Sequence, residues 1–211
     1  KINNPKVIVS MLNFNLERTS RLFFIVIIFL FMKVVPLKGH EMSPSILDLT
    51  INPNVVQLKI RFSIEAMLAE IDLSEVSDTN LSENAIKYDE LRTFTPTQIK
   101  KIFGKRWPNL SKDIELIQSG RAVELSFQDL TVPDVGNTEL TRISHLYLEA
   151  KIEKDEPIVF SWNANFGPIV VRQMGVDNGL TQFLANGDQS DEMYFQGSIE
   201  KSKIQTLKVY N

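Results

Sequence analysis

The 211-residue sequence contains no cysteine and only two histidines, His40 and His145. The first absence excludes disulfides and thiolate metal sites, and the second excludes a metal centre built from several imidazoles. Stability must therefore come from packing. Basic charge is not in excess either: 23 Lys and Arg stand against 26 Asp and Glu, with a formal net charge of −3 and a pI near 5.5. That balance leaves no footprint for nucleic acid, which is bound through clustered cations that release phosphate counterions. Missing too are a Gly-x-Ser-x-Gly elbow, a phosphate-binding loop, a dinucleotide fingerprint and an HExxH pair, along with any internal repeat or low-complexity tract. What remains is an ordinary globular composition, 43% hydrophobic and 23% charged, in a length that suits one sizeable core.

The most distinctive segment lies near the beginning. Leu22–Met32 (LFFIVIIFLFM) is eleven apolar residues without a break, preceded by Arg18 and Arg21 and followed by Lys33. As a helix it would be about 17 Å long, against a hydrocarbon thickness of about 30 Å, which is too short for a comfortable span. It also lacks the polar face of a core helix. The positive flank and short apolar centre predict a secretory signal peptide over residues 18–39, with an uncleaved N-terminal anchor as the alternative. Met11 is placed as a natural start of translation. Leu37-Lys38-Gly39 puts a small residue before the expected cut, although it lacks the usual A-x-A pattern. Cleavage after Gly39 would make His40 the first mature residue. The chain is thus expected to be exported, to the periplasm or the outer face of the cytoplasmic membrane. Residues 1–39 form the extension and signal, and 40–211 a single extracytoplasmic domain.

Within that domain the hydrophobic period is two, as in half-buried strands. Leu47, Leu49 and Ile51 share one face, and Val56, Leu58, Ile60, Phe62 and Ile64 another, with Asn52-Pro53-Asn54 as the turn of a hairpin. Between about 65 and 119 the pattern becomes helical. Met67, Leu68 and Ile71 make an apolar stripe; Thr95-Pro96 starts a helix that Gly104 is expected to stop; a third helix is expected over Ser111–Gln118. Alternation returns at Arg121, with Val123, Leu125 and Phe127 on one side, and again in Leu140–Ile152, where Leu146, Leu148, Ala150 and Ile152 face inward. Further strands are expected at Pro157–Asn163, Ile169–Met174 and Leu180–Leu184, separated by Gly167-Pro168 and Asp177-Asn178-Gly179. The predicted class is mainly β (α+β): an antiparallel β-sandwich-like domain with a short helical insertion, preceded by the N-terminal hydrophobic helix.

Candidate chemistry is sparse. A mature N-terminal His40 would offer an α-amine and an imidazole to one metal ion, with Glu41 beside it as a carboxylate, and predicts at most weak Ni²⁺ or Cu²⁺ binding. No other cofactor is implied. His145 falls on the outward face with Tyr147 and Glu149, about 13 Å from Glu149 along the strand, too far to share an ion and in keeping with a surface histidine. Glu65, Glu70, Asp72, Glu75 and Asp78 surround a helical segment and are expected to form a solvated face. The two tryptophans and the Phe166-Gly167-Pro168 turn could line a ligand cleft, but aromatics in strands are more often core. Asn186–Glu192 is expected to be an exposed loop. Nothing here predicts an enzyme.

Three stretches share a pattern with a known family. His40-Glu41-Met42-Ser43-Pro44 with the strand SILDLTI, the later FGPIVVRQ (Phe166–Gln173), and TQFLANGDQS (Thr181–Ser190) resemble the extracytoplasmic N-terminal region of HupE/UreJ-type membrane proteins. The resemblance covers most of residues 40–211 through short motifs. It implies a non-catalytic module, in an interaction or sensing role, of a membrane protein whose relatives are described as nickel permeases or accessories of hydrogenase and urease. Its partner would then be a bundle of membrane helices encoded downstream of Asn211. The His- and Asp-bearing helices thought to carry transport have no counterpart in these residues, so no transport residue carries over, and the chain is expected to be a fragment. A free-standing secreted binding β-sandwich and, behind it, an exported hydrolase are the competing readings.

Overall fold

The computed structural model describes residues 42–153 and 156–195, all within one compact unit, Gly39–Asn211. The expected signal peptide lies outside the described residues, as do His40 and Glu41. Among the described residues no helix is long and apolar enough to cross a membrane.

The protein is mainly β. Strands β1 (Ser45–Asn52) and β2 (Val55–Phe62) form the expected hairpin, Leu49 facing Leu58 and Asp48 facing Lys59. Alternation buries Leu47, Leu49, Val56, Leu58, Ile60 and Phe62, leaving Gln57, Lys59 and Arg61 outside. Each such side chain contributes about 1.5–3 kcal/mol through removal from water, so the period-two pattern fixes which face turns inward. Ile64, in phase with that face, instead starts helix α1 (Ile64–Ala69), whose N-cap Ser63 accepts from the Ala66 N–H. α1 is buried along its whole length and ends at Glu70 in a left-handed conformation, φ 64°.

Two further helices follow. α2 spans Ala85–Arg92 and α3 spans Pro96–Leu110. The start of α3 is as the sequence indicates: Thr95 and Gln98 form a reciprocal capping box, with proline at the first position. Gly104 does not stop it. That glycine is exposed, with nothing within 4 Å of where its Cβ would be. The helix continues past it through Pro108, which cannot donate to the Gly104 carbonyl but sits in the last turn, where the loss costs little. Ile99, Phe103 and Leu110 anchor α3, and Trp107 packs against Phe103 and Phe127 at ring distances of 5.5 and 5.7 Å.

The third expected helix is also corrected. Ser111–Asp113 makes only one 3₁₀ turn, and Ile114–Gln118 is strand β3, with Ile114, Leu116 and Gln118 buried. It pairs with β4 (Arg121–Val123) and β7 (Ile158–Trp162) in a three-stranded sheet, order β4-β3-β7. The alternating run after Arg121 is two strands, because the chain leaves one sheet at Val123 and enters the other at β5 (Ser126–Thr131).

The larger sheet has six strands in the order β5-β6-β2-β1-β8-β9, with β6 at Ser144–Lys151, β8 at Ile169–Met174 and β9 at Thr181–Leu184. It is mixed, not purely antiparallel: β1 and β8 run parallel, Ser45 beside Ile169 and Asp48 beside Arg172. The long excursion from β2 back to β8 enters the sheet on the far side of β1 from its hairpin partner, in the direction β1 already runs. One apolar cluster joins the inner face of this sheet, the helices and β3 and β7.

Candidate functional site

Where the ends of β1 and β8 meet α1 and the 72–77 loop, the protein leaves a recess of about 270 Å³. Its floor comes from β7 and the turn after it. Trp162 is 3% exposed, and its indole N–H donates to the Gly167 carbonyl at 2.9 Å. Phe166 stands edge-on to the Trp162 ring, centroids 5.2 Å apart and planes at 71°. Phe62 and Met67 extend the apolar wall. Of the aromatic residues considered from sequence, Trp162 and the Phe166-Gly167-Pro168 turn thus line a cleft, whereas Trp107 lies in the cluster with Phe103 and Phe127.

Gly167 has a backbone reason for its identity. Its φ of +79° is a conformation that side chains disfavour, and a Cβ there would lie 2.8 Å from Leu73 Cβ. The turn is held against the 72–77 loop by the Leu73 N–H donating to Asn165 O at 3.0 Å. Met42 closes the rim. Its N–H donates to Ser77 O, and its sulfur accepts weakly from Tyr88 Oη (4.0 Å) and Thr141 Oγ1 (3.8 Å).

The polar lining is mostly hydroxyl. Ser43, Ser45, Ser63, Ser74 and Ser77 border the recess, and exposed Glu75 is the single titratable lining group among the described residues. Ser45 was missed in the sequence, though a signal existed: it is the polar member of the inward-facing series Ser45, Leu47, Leu49, Ile51. Its N–H donates to Pro168 O at 2.9 Å, and it is 8% exposed.

Beside the recess lies a buried ionic centre. Glu65, expected on a solvated face, is fully buried, with Oε1 2.6 Å from Arg142 Nε and 2.5 Å from Nη2. The expectation fails because α1 has no solvent face: every residue from Ile64 to Ala69 is buried. Arg142 also donates to the carbonyls of Leu91, Phe94 and Pro133, and buried Arg92 donates to Leu140 O. These bonds tie the connection before β6 to the helices. Burial pushes the Glu65 carboxyl above its ordinary range, outweighing the attraction of Arg142. Glu65 Oε2 is buried and has no hydrogen-bond partner among the described residues. Burial likewise raises the phenol of neighbouring Tyr88. Glu70 behaves oppositely. It pairs with Arg106, whose hydrogen bond holds its carboxyl below the ordinary range.

His145 lies on the outer face of the large sheet, half-buried, its ring 6.5 Å from Tyr147. Partial burial and the nearby Lys59 and Arg61 depress its basicity, against a smaller opposing effect of Asp48. Glu149 shares that face beyond Tyr147. Among the described residues no three His, Asp or Glu side chains converge as a metal-ligand set. Asn186–Glu192 is exposed as expected except for Ser190, which is buried and accepts from the Phe160 N–H at 2.9 Å.

A scan against protein-family models finds none that matches, and a search of curated proteins finds no significant match.

Proposed function

We propose that the chain is a non-catalytic extracytoplasmic module of a HupE/UreJ-type membrane protein, exported through residues 18–39 and acting by interaction or sensing. What carries the reading is the company kept by the three segments that resemble that family. SILDLTI supplies β1, FGPIVVRQ supplies β8, and TQFLANGDQS begins with β9, and these are three consecutive strands of one sheet. Asp48 and Arg172 join the first two through a 2.7 Å hydrogen bond. Asp48 and Arg172, 124 residues apart in sequence, thus lie side by side on one sheet. The two sheets about one apolar cluster suit a sandwich-like frame for it.

A binding role is favoured over hydrolysis by the lining of the recess. Among the described residues Glu75 is the one titratable group on the recess; it is exposed and has no second carboxylate or histidine there to divide acid and base duties. The free-standing secreted protein remains the competing reading, and one observation separates the two. The reading frame beyond Asn211 is expected to encode several apolar helices bearing His and Asp; a stop codon there would overturn the membrane-module reading. Export is checked by a phosphatase fusion at the C-terminal side of Phe195, active only outside the cytoplasm; an inactive, stably expressed fusion refutes it.

A further inference from the structure

We propose that the recess between Trp162 and Ser45 binds a neutral, two-ring aromatic molecule carrying one hydrogen-bonding substituent. The inference rests on the recess alone and does not depend on export or on a membrane partner.

Size comes first. A cavity of about 150 Å³ takes up benzene, and this recess, part apolar and part hydroxyl-lined, is about 270 Å³, which leaves room for a second fused ring. The walls set the chemistry. Trp162 and Phe166 are already arranged edge to face, so an inserted ring can stack on one and meet the edge of the other. The unbranched Met67 side chain, 5% exposed, adapts to the ring outline.

Polarity then selects within the aromatics. Among the described residues no buried charge lines the recess, so an ionised ligand would lose water without gaining a counter-ion from them, and exposed Glu75 repels carboxylates. Ser45 supplies the specific contact. Ser45 is 8% exposed and borders the recess, on the strand that forms its wall. A hydroxyl in that position either donates to or accepts from a guest. An aromatic body with one polar substituent meets the Trp162 and Phe166 walls and turns its substituent toward the serine side, Ser45 among them.

The probe is 2-naphthol, with naphthalene as the analogue lacking the substituent. The full chain, carried in maltoside micelles, bears Trp107→Phe so that Trp162 is the sole indole donor; energy transfer from Trp162 to 2-naphthol reports its occupancy, and naphthalene, which absorbs at too short a wavelength to accept that energy, is read by its competition with 2-naphthol. Saturable one-to-one binding is expected. Ser45→Ala should weaken 2-naphthol about 3–10-fold, the loss of one neutral hydrogen bond, and leave naphthalene unchanged. Ser45→Leu, which fills the recess, should abolish saturation while the near-UV dichroism of the fold persists. The proposal is overturned if the signal rises linearly with probe, as for micelles alone, or if 2-naphthol binds wild type and Ser45→Ala equally. Should Ser45→Leu fail to fold, the Ser45→Ala comparison decides the matter by itself.

Discussion

Glu65 and Arg142 stand 77 residues apart in sequence and meet inside the protein, the carboxylate oxygen 2.6 Å from the guanidinium Nε. The pair is buried on both sides, with side-chain exposures of 0% and 8%. Arg142 spends its remaining donors on three carbonyls, so one side chain fastens α1, the end of α2 with the link that follows it, and the chain before β6.

Arg142→Ala should therefore be among the most damaging single changes. It leaves a buried carboxylate without its partner, which costs about 3–5 kcal/mol, and it strips donors from three carbonyls. Urea unfolding is expected to show the midpoint falling accordingly. A loss under about 1 kcal/mol would mean that the pair is solvated.

The pH dependence of the same site has a definite sign. Burial raises the Glu65 carboxyl above its unfolded value, so the folded protein holds that proton more tightly than the unfolded chain. The contribution is fully present below the ordinary carboxylate range and is lost as pH rises through the raised folded value. Glu65→Gln removes this titration. Between pH 4 and pH 8 the stability of Glu65→Gln relative to wild type should climb, measured as the difference in urea midpoint. Parallel curves for the two proteins would contradict the assigned direction.

Gly167→Ala tests the floor of the recess. The substitution meets both a positive φ and a Cβ 2.8 Å from Leu73, and backbone strain of this kind costs about 1–3 kcal/mol. A lower Tm is expected, and Leu73→Gly in the same chain, which removes the Cβ that is met, should relieve the steric part of it. Additive losses would show that the contact is not the cause.

Thr95→Ala removes half of the capping box at α3. The expected loss is about 1 kcal/mol, in a helix whose Phe103 packs against Phe127 of β5. Thr95→Ser, which keeps the oxygen, should restore nearly all of it.

How much of this was legible depends on the distance over which each feature is encoded. The β1–β2 hairpin, the inward face of β6 and the cap at Thr95 are local patterns, and the sequence displays them directly. Ile114–Gln118 is five residues with apolar side chains at 114, 116 and 117, a run in which strand and helix periods cannot be told apart. The switch of sheets after Val123 leaves the alternation intact and so leaves no trace in it. Parallel pairing of β1 with β8 depends on where a distant strand arrives. Glu65 did carry a signal: in IEAMLA it is the one polar residue of six, so a helix that needs burial takes its carboxylate inside. The hydroxyl of Ser45 was marked in the same way, by its phase with Leu47 and Leu49.

The parallel contact between Ser45–Thr50 and Ile169–Met174 also sets an order of events in time. A chain that emerges N-terminus first can close its opening hairpin early, but β1 keeps one edge unpaired until more than a hundred further residues have appeared. Closing so long a loop is slow, and strand pairings of large sequence separation delay folding. During that interval Leu47, Leu49 and Ile51 belong to an unfinished sheet whose open edge is a template for stray strands. The last described strands are thus the ones that end the protein's vulnerability to aggregation, and a chain truncated before Ile169 should accumulate as aggregate and not as a smaller folded domain.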